Sequence, residues 1–94
     1  MTNQPVFHKN IRISGRVQGV GFRYSARSMA AYCGVKGFVR NLPNGDVYLE
    51  VEGESNQLED YIQWCRQGPP RAKINFMDVY DGEVVGFAGF EVSF

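Results

Sequence analysis

Hydrophobic and polar positions change period several times along this chain, and each change marks an element boundary. From Phe7 to Val17 they alternate, with Phe7, Ile11, Ile13 and Val17 on one side, which predicts a half-buried strand. At Phe22 the period lengthens. Phe22, Ala26, Met29, Ala30 and Cys33 then fall on one stripe of a helix, and Gly34 is placed to end it. Val35 to Asn41 reads as a second strand, and Leu42-Pro43-Asn44-Gly45 as a tight turn with the Asn-Gly hairpin signal. Asp46 to Glu52 has the cleanest alternation, Val47, Leu49 and Val51 against Tyr48, Glu50 and Glu52. A second helix begins at Ser55 or Asn56, with Asn56 and Glu59 spaced as a capping box, and buries Leu58, Tyr61, Ile62 and Cys65 before Gly68-Pro69-Pro70 stops it. Ile74 to Tyr80 is a further strand, with a bulge expected around Phe76-Met77 where the alternation slips. A loop over 81–86 follows, and then a short terminal strand with Phe90, Val92 and Phe94 on one face.

The order β-α-β-β-α-β with a terminal strand is that of a ferredoxin-like α+β sandwich, an antiparallel sheet carrying both helices on one face. That architecture hosts many functions and selects none. The 94 residues make one domain with a modest core, residues 1–6 reading as a flexible tail. Ten basic and ten acidic residues cancel, so nothing draws the chain generally to nucleic acid or an anionic membrane. No apolar run approaches the ~20 residues of a membrane span, and the polar start does not resemble a signal peptide. A cytoplasmic protein is expected. Cys33 and Cys65 have no metal-ligand spacing, which argues against a metal site, and fall on apolar helix faces, which predicts buried thiols; the alternative, a disulfide tying the helices together, is disfavoured in a reducing cytosol. The single histidine, His8, sits on the polar side of its strand and is expected at the surface, without a catalytic role.

The most distinctive chemistry lies between Gly15 and Arg23. Glycines at 15, 19 and 21 close the first strand just before the helix begins. Glycine tolerates positive φ, and successive free N–H groups in such a turn form a concave anion nest at the positive end of the helix that follows. Arg23, in the first turn, adds a planar charged fork suited to phosphate oxygens. The Gly-Lys-Ser/Thr ending of a nucleotide-binding loop is missing, and the glycine spacing is not that of a dinucleotide fold. From Val17 to Phe22 there is no Cys, Ser or Asp to act as a nucleophile. The loop therefore reads either as a cradle that holds phosphate without attacking it, or as a plain strand-to-helix connection. Asn41 has two readings as well: an asparagine before Leu-Pro commonly caps a turn through its own side chain, and with a phosphate cradle upstream it becomes a site residue. Arg16 and Arg40 could add positive potential near the loop, and Tyr24 belongs to the core or to the rim of the site.

GRVQGVGFR, followed by KGFVRNLPNGDVYLEVEG and later GPPRAKI, closely resembles the acylphosphatase family, from Ile11 to Phe94 and in the family's order. Gly37-Phe38-Val39-Arg40-Asn41 matches its G-x-V-x-N motif. The resemblance implies an enzyme that hydrolyses the carboxyl–phosphate bond of small acyl phosphates. It implies that backbone amides of Gln18, Gly19, Val20, Gly21, Phe22 and Arg23 hold the phosphoryl oxygens, that the Arg23 side chain binds them too, and that Asn41 positions the attacking water. From the residues themselves no cofactor or metal is expected, inorganic phosphate is expected as product and as an inhibitor bound by the loop, and a monomer is the default for so small a domain. Two other classes are weaker. An RNA-binding module of the same topology would need more aromatics, on the third strand, and a basic surface. A non-catalytic phosphate sensor would bind without turnover; a chain that ends soon after the fold is complete favours the free-standing enzyme.

Overall fold

The computed structural model describes residues 4–94, so half of the tail expected at 1–6 lies outside the described residues. The elements run β1 (Phe7–Arg16), α1 (Phe22–Cys33), β2 (Lys36–Asn41), β3 (Val47–Gly53), α2 (Ser55–Cys65), β4 (Lys73–Gly82) and β5 (Phe90–Ser93). They build one five-stranded sheet in the order β4-β1-β3-β2-β5.

Alternation decides which face is buried. Ile11 and Ile13 of β1, Val39 of β2, and Val47, Leu49 and Val51 of β3 are wholly buried, and they meet Ala26 and Ala30 of α1 and Leu58, Tyr61 and Cys65 of α2 in a single core. Each of the larger aliphatic side chains contributes about 1.5–3 kcal/mol by leaving water. The buried Tyr61 hydroxyl donates to the Ala26 carbonyl at 2.9 Å, which ties α2 to α1 without an unpaired polar group. Gly34 ends α1 in the left-handed region, with its N–H on the Ala30 carbonyl at 2.9 Å. No helix of the described residues is long and apolar enough to cross a membrane.

Several sequence expectations shift. The sheet is antiparallel through β4, β1, β3 and β2, but β5 runs parallel to β2, with Gly37 opposite Phe90. The reason is geometric: after β4 the chain crosses the end of the sheet where β2 begins, so β5 starts beside Gly37 and runs with it. The capping box of α2 is formed by Glu54 and Gln57, not Asn56 and Glu59. The β4 irregularity falls at Asn75, because Ser14 pairs with Phe76 and Gly15 with Ile74. Gly15 allows this close pairing, since a Cβ there would stand 2.1 Å from the Lys73 carbonyl oxygen. Phe94 lies beyond β5 and is exposed instead of sharing a buried face. Both cysteines are free; Cys65 is buried, whereas Cys33 is only partly so.

The largest departure concerns His8, which is buried, 3% exposed, and not at the surface. It does point away from the helices, as its position in the alternation requires. The segment between β4 and β5 covers it: the Phe87 ring stacks on the imidazole at 5.9 Å between centroids and meets Phe38 edge-on at 5.9 Å.

Candidate active site

The connection from β1 to α1 is held down by apolar side chains and left open by glycine. Val17, Val20 and Phe22 are buried in the core, while Gly19 and Gly21 between them are exposed. Both glycines have positive φ, 74° and 78°, and a Cβ on either would meet nothing within 4 Å. Conformation, not crowding, therefore demands glycine at these two places. Gly15 is different: it belongs to the strand pairing and not to the loop.

Gly21 is also the N-cap of α1, and no side chain caps that end. The first-turn N–H groups of the helix, which ordinarily need a partner, therefore have none from a capping side chain. A cleft of about 210 Å³ lies there, lined by Val17, Gln18, Gly19, Gly21, Phe22, Arg23, Tyr24 and Asn41. Its lining carries no carboxylate, imidazole or thiol that could hold a metal, and its one full charge is Arg23. A helix N-terminus without a side-chain cap and a guanidinium border one small space, an arrangement whose chemistry suits a tetrahedral anion.

Asn41 reaches the cleft through strand parity. Val39 and Asn41 share the helix side of β2, and Asn41, at the strand's last position, stands beside the start of α1. Arg40 consequently points the other way, its guanidinium carbon 5.4 Å from the centre of the Tyr48 ring, so the positive potential considered for it does not reach the cleft. Arg16 is exposed and absent from the cleft lining, and Tyr24 is exposed at the rim.

Three contacts that support the site were not legible in the sequence. The Gln18 side chain donates to the carbonyls of Leu42, at 2.8 Å, and Asp46, at 2.9 Å, pinning the glycine loop to the hairpin that follows Asn41. Within that hairpin Asn44 accepts from the Asp46 N–H at 3.1 Å, and Leu42 and Asp46 pair through their backbones. Arg23 donates through Nη1 to the Ser93 carbonyl at 3.1 Å, and its guanidinium carbon lies 4.6 Å from the centre of the Phe94 ring. The hydrogen-bond partners of Gln18 and Arg23 are 24 to 70 positions away in sequence, and no local pattern signals them.

The family model for acylphosphatase matches residues 9–92. An acylphosphatase of Acaryochloris marina is 48% identical over 80 residues, 85% of this chain and 86% of the relative. Among solved structures, an acylphosphatase from Coxiella burnetii superposes with a TM-score of 0.93 at 33% identity, covering 99% of this chain and all of the other. The acylphosphatase from Bacillus subtilis gives 0.91 at 30% identity, covering 94% and 99%. With the glycine loop, the arginine and the asparagine already assembled in one cleft, the conclusion is direct: this chain belongs to the acylphosphatase family and is an enzyme that hydrolyses acyl phosphates.

Proposed function

We propose that the cleft between the 18–23 loop and Asn41 binds the phosphoryl group of a small acyl phosphate and directs a water molecule at its phosphorus. The observation that carries this reading is the convergence of an uncapped helix N-terminus, Arg23 and Asn41 on one space of substrate size. Backbone N–H groups of Gln18, Gly19, Val20, Gly21, Phe22 and Arg23, with the Arg23 guanidinium, hold the non-bridging phosphoryl oxygens. They stabilise the charge that spreads over those oxygens as the group transfers.

Water attacks phosphorus in line with the acyl oxygen; the P–O bond to water forms as the P–O bond to the carboxyl group breaks. The departing carboxylate is the base of an acid of pKa roughly 4, so it leaves unprotonated and needs no general acid. A phosphate monoester would expel a far more basic alkoxide, and the cleft lining offers no carboxyl, imidazole or thiol group to protonate it. Asn41 can donate and accept hydrogen bonds while staying neutral, which suits it to fix the water's orientation. The proton lost by water passes to a phosphoryl oxygen of the bound substrate, and inorganic phosphate remains in the cradle as product and competitive inhibitor. A panel of acyl phosphates and phosphate monoesters, assayed with and without a strong chelator, tests the reading. Turnover of benzoyl or acetyl phosphate that survives chelation, with monoesters inert, is expected; saturable binding without turnover, or loss of activity restored by added metal, would overturn it.

A further inference from the structure

Far from the cleft, on the sheet face that carries no helix, the structure buries a histidine–carboxylate pair that the chemistry above does not use. His8 Nδ1 lies 2.6 Å from Glu52 Oε2, and Nε2 lies 3.1 Å from both Asn10 Oδ1 and Glu50 Oε1. Every atom facing the ring nitrogens is an acceptor. A neutral imidazole has one N–H and can serve one side only, whereas the imidazolium serves both.

Glu52 also accepts from the N–H groups of Val85, Gly86 and Phe87. These residues belong to the stretch 83–89, which is exposed except for the half-buried Phe87, has no regular structure and delivers the chain to β5. Glu52 and the stacking of Phe87 on His8 and Phe38 fasten it, and Gly89 is joined to Gly37 by a backbone hydrogen bond of 2.9 Å. Four residues further on, Ser93 holds Arg23 through its carbonyl.

We infer that His8 is a pH-sensitive positioning residue: as the imidazolium it latches the 85–87 loop through Glu52, and thereby sets β5 and the Arg23 guanidinium that β5 holds. The inference depends on the reading of Arg23 as a phosphate ligand. The charged groups that face His8 are Glu50 and Glu52 of β3. Asn10 of β1, Gly82 of β4 and Phe87 of the loop are its uncharged neighbours, and Tyr48 bonds to Asn10 and Glu50 behind them, with Tyr80 of β4 against it.

Burial disfavours the charged imidazole, but the hydrogen bonds to Glu52 and Asn10 and the two carboxylates outweigh it, so the His8 pKa is raised above its ordinary 6.5. Burial opposes ionisation of Glu52 as well, yet the loop amides and His8 hold its pKa down to about 2. The latch is therefore fully made between the ordinary carboxylate value of 4.5 and the ordinary imidazole value of 6.5, and is released as pH rises through the higher folded-state value of His8.

His8 is the only histidine, so its imidazole resonance can be followed by NMR without ambiguity. Titrating the full chain, we expect the amides of Val85, Gly86, Phe87 and Ser93 and the Arg23 Nε–H to move with the same midpoint as the imidazole. On benzoyl phosphate kcat/KM should fall through that midpoint by about three- to thirtyfold, the range of such remote couplings. In His8→Gln the step should vanish, leaving a flat, lower profile; comparison on one substrate cancels the substrate's own ionisation. A merely structural His8 would lower the melting temperature without a pH step. Loop and Arg23 signals that stay still through the imidazole midpoint would overturn the latch, and this wild-type result needs no variant to fold. Signals that move while kcat/KM does not would overturn the link to catalysis. In that case Arg23→Ala shows where the failure lies: an inactive variant keeps the Arg23 assignment and removes only His8, whereas a fully active one removes Arg23 itself.

Discussion

At one end of the sheet the N–H groups of Val85, Gly86 and Phe87 close on the Glu52 carboxylate. At the other, the 18–23 loop turns its backbone toward a cleft whose lining has no acidic side chain. Both stretches use glycine at positive φ, Gly86 at 88° and Gly19 and Gly21 at 74° and 78°, the conformation that lets successive amides turn toward one point. In the first the protein supplies its own anion, the amides are satisfied, and the result is a fastening. In the second, on the function proposed above, the anion comes from outside and the loop serves as its receptor. A nest of amides is thus not in itself a site; what matters is whether the fold has already filled it.

The comparison is easiest to break at the receptor. Arg23→Ala should reduce kcat/KM on the order of a thousandfold or more and weaken inorganic phosphate binding with it, because the cleft loses its only charge. Arg23→Lys should also fail badly, since a point charge does not replace the planar fork. Kinetics together with a phosphate titration check this, and near-normal turnover in folded Arg23→Lys would show that the fork is dispensable.

Asn41→Ala should lower kcat by roughly a hundredfold, the size of effect for one well-placed polar group, while phosphate affinity hardly changes. A turn-capping Asn41 predicts the reverse, a lower melting temperature with kcat intact. Melting temperature, phosphate affinity and kcat measured on one preparation separate the two.

At the fastening, Glu52→Gln should cost stability, about 2–3 kcal/mol, by leaving His8 and three amides with a weaker partner. The folded-state pKa of Glu52 is depressed, so its contribution is complete above the ordinary carboxylate value of 4.5 and lost as pH falls through about 2. Denaturant midpoints of the two proteins should therefore differ at pH 7 and converge toward pH 2. A difference that is constant with pH would mean that charge is not what holds the loop.

The smallest effects sharpen the contrast most directly. Gly21→Ala and Gly86→Ala each put a methyl group in open space at positive φ, and each should cost about 1–2 kcal/mol for that conformation. Gly21→Ala should in addition weaken phosphate binding, because its methyl group stands in the cleft. Equal losses of phosphate affinity in the two variants would erase the distinction between receptor and fastening.

What the sequence determined by itself is local. The alternation of Ile11 and Ile13 and of Val47, Leu49 and Val51 sets which sheet face is apolar, and the stripe from Phe22 to Cys33 sets the first helix, because both periods follow from backbone geometry. The proposed receptor is local as well, since its amides, two of its glycines and Arg23 lie within six consecutive residues. Strand parity then brings Asn41 to it.

Other features were decided only in three dimensions. Alternation correctly turned His8 and Glu52 away from the helices and so suggested exposure, but periodicity cannot report what crosses a sheet face. The chain's return from one edge to the other, forced by β5 pairing with β2, lays Phe87 over His8 and three amides over Glu52. Glu54, an uncommon N-cap, took the start of α2 because Gln57 reaches back to its N–H at 2.9 Å. The tethers of Gln18 to the hairpin and of Arg23 to Ser93 likewise join residues that only the packed sheet brings together, since hydrogen-bond partners distant in sequence leave no period behind them.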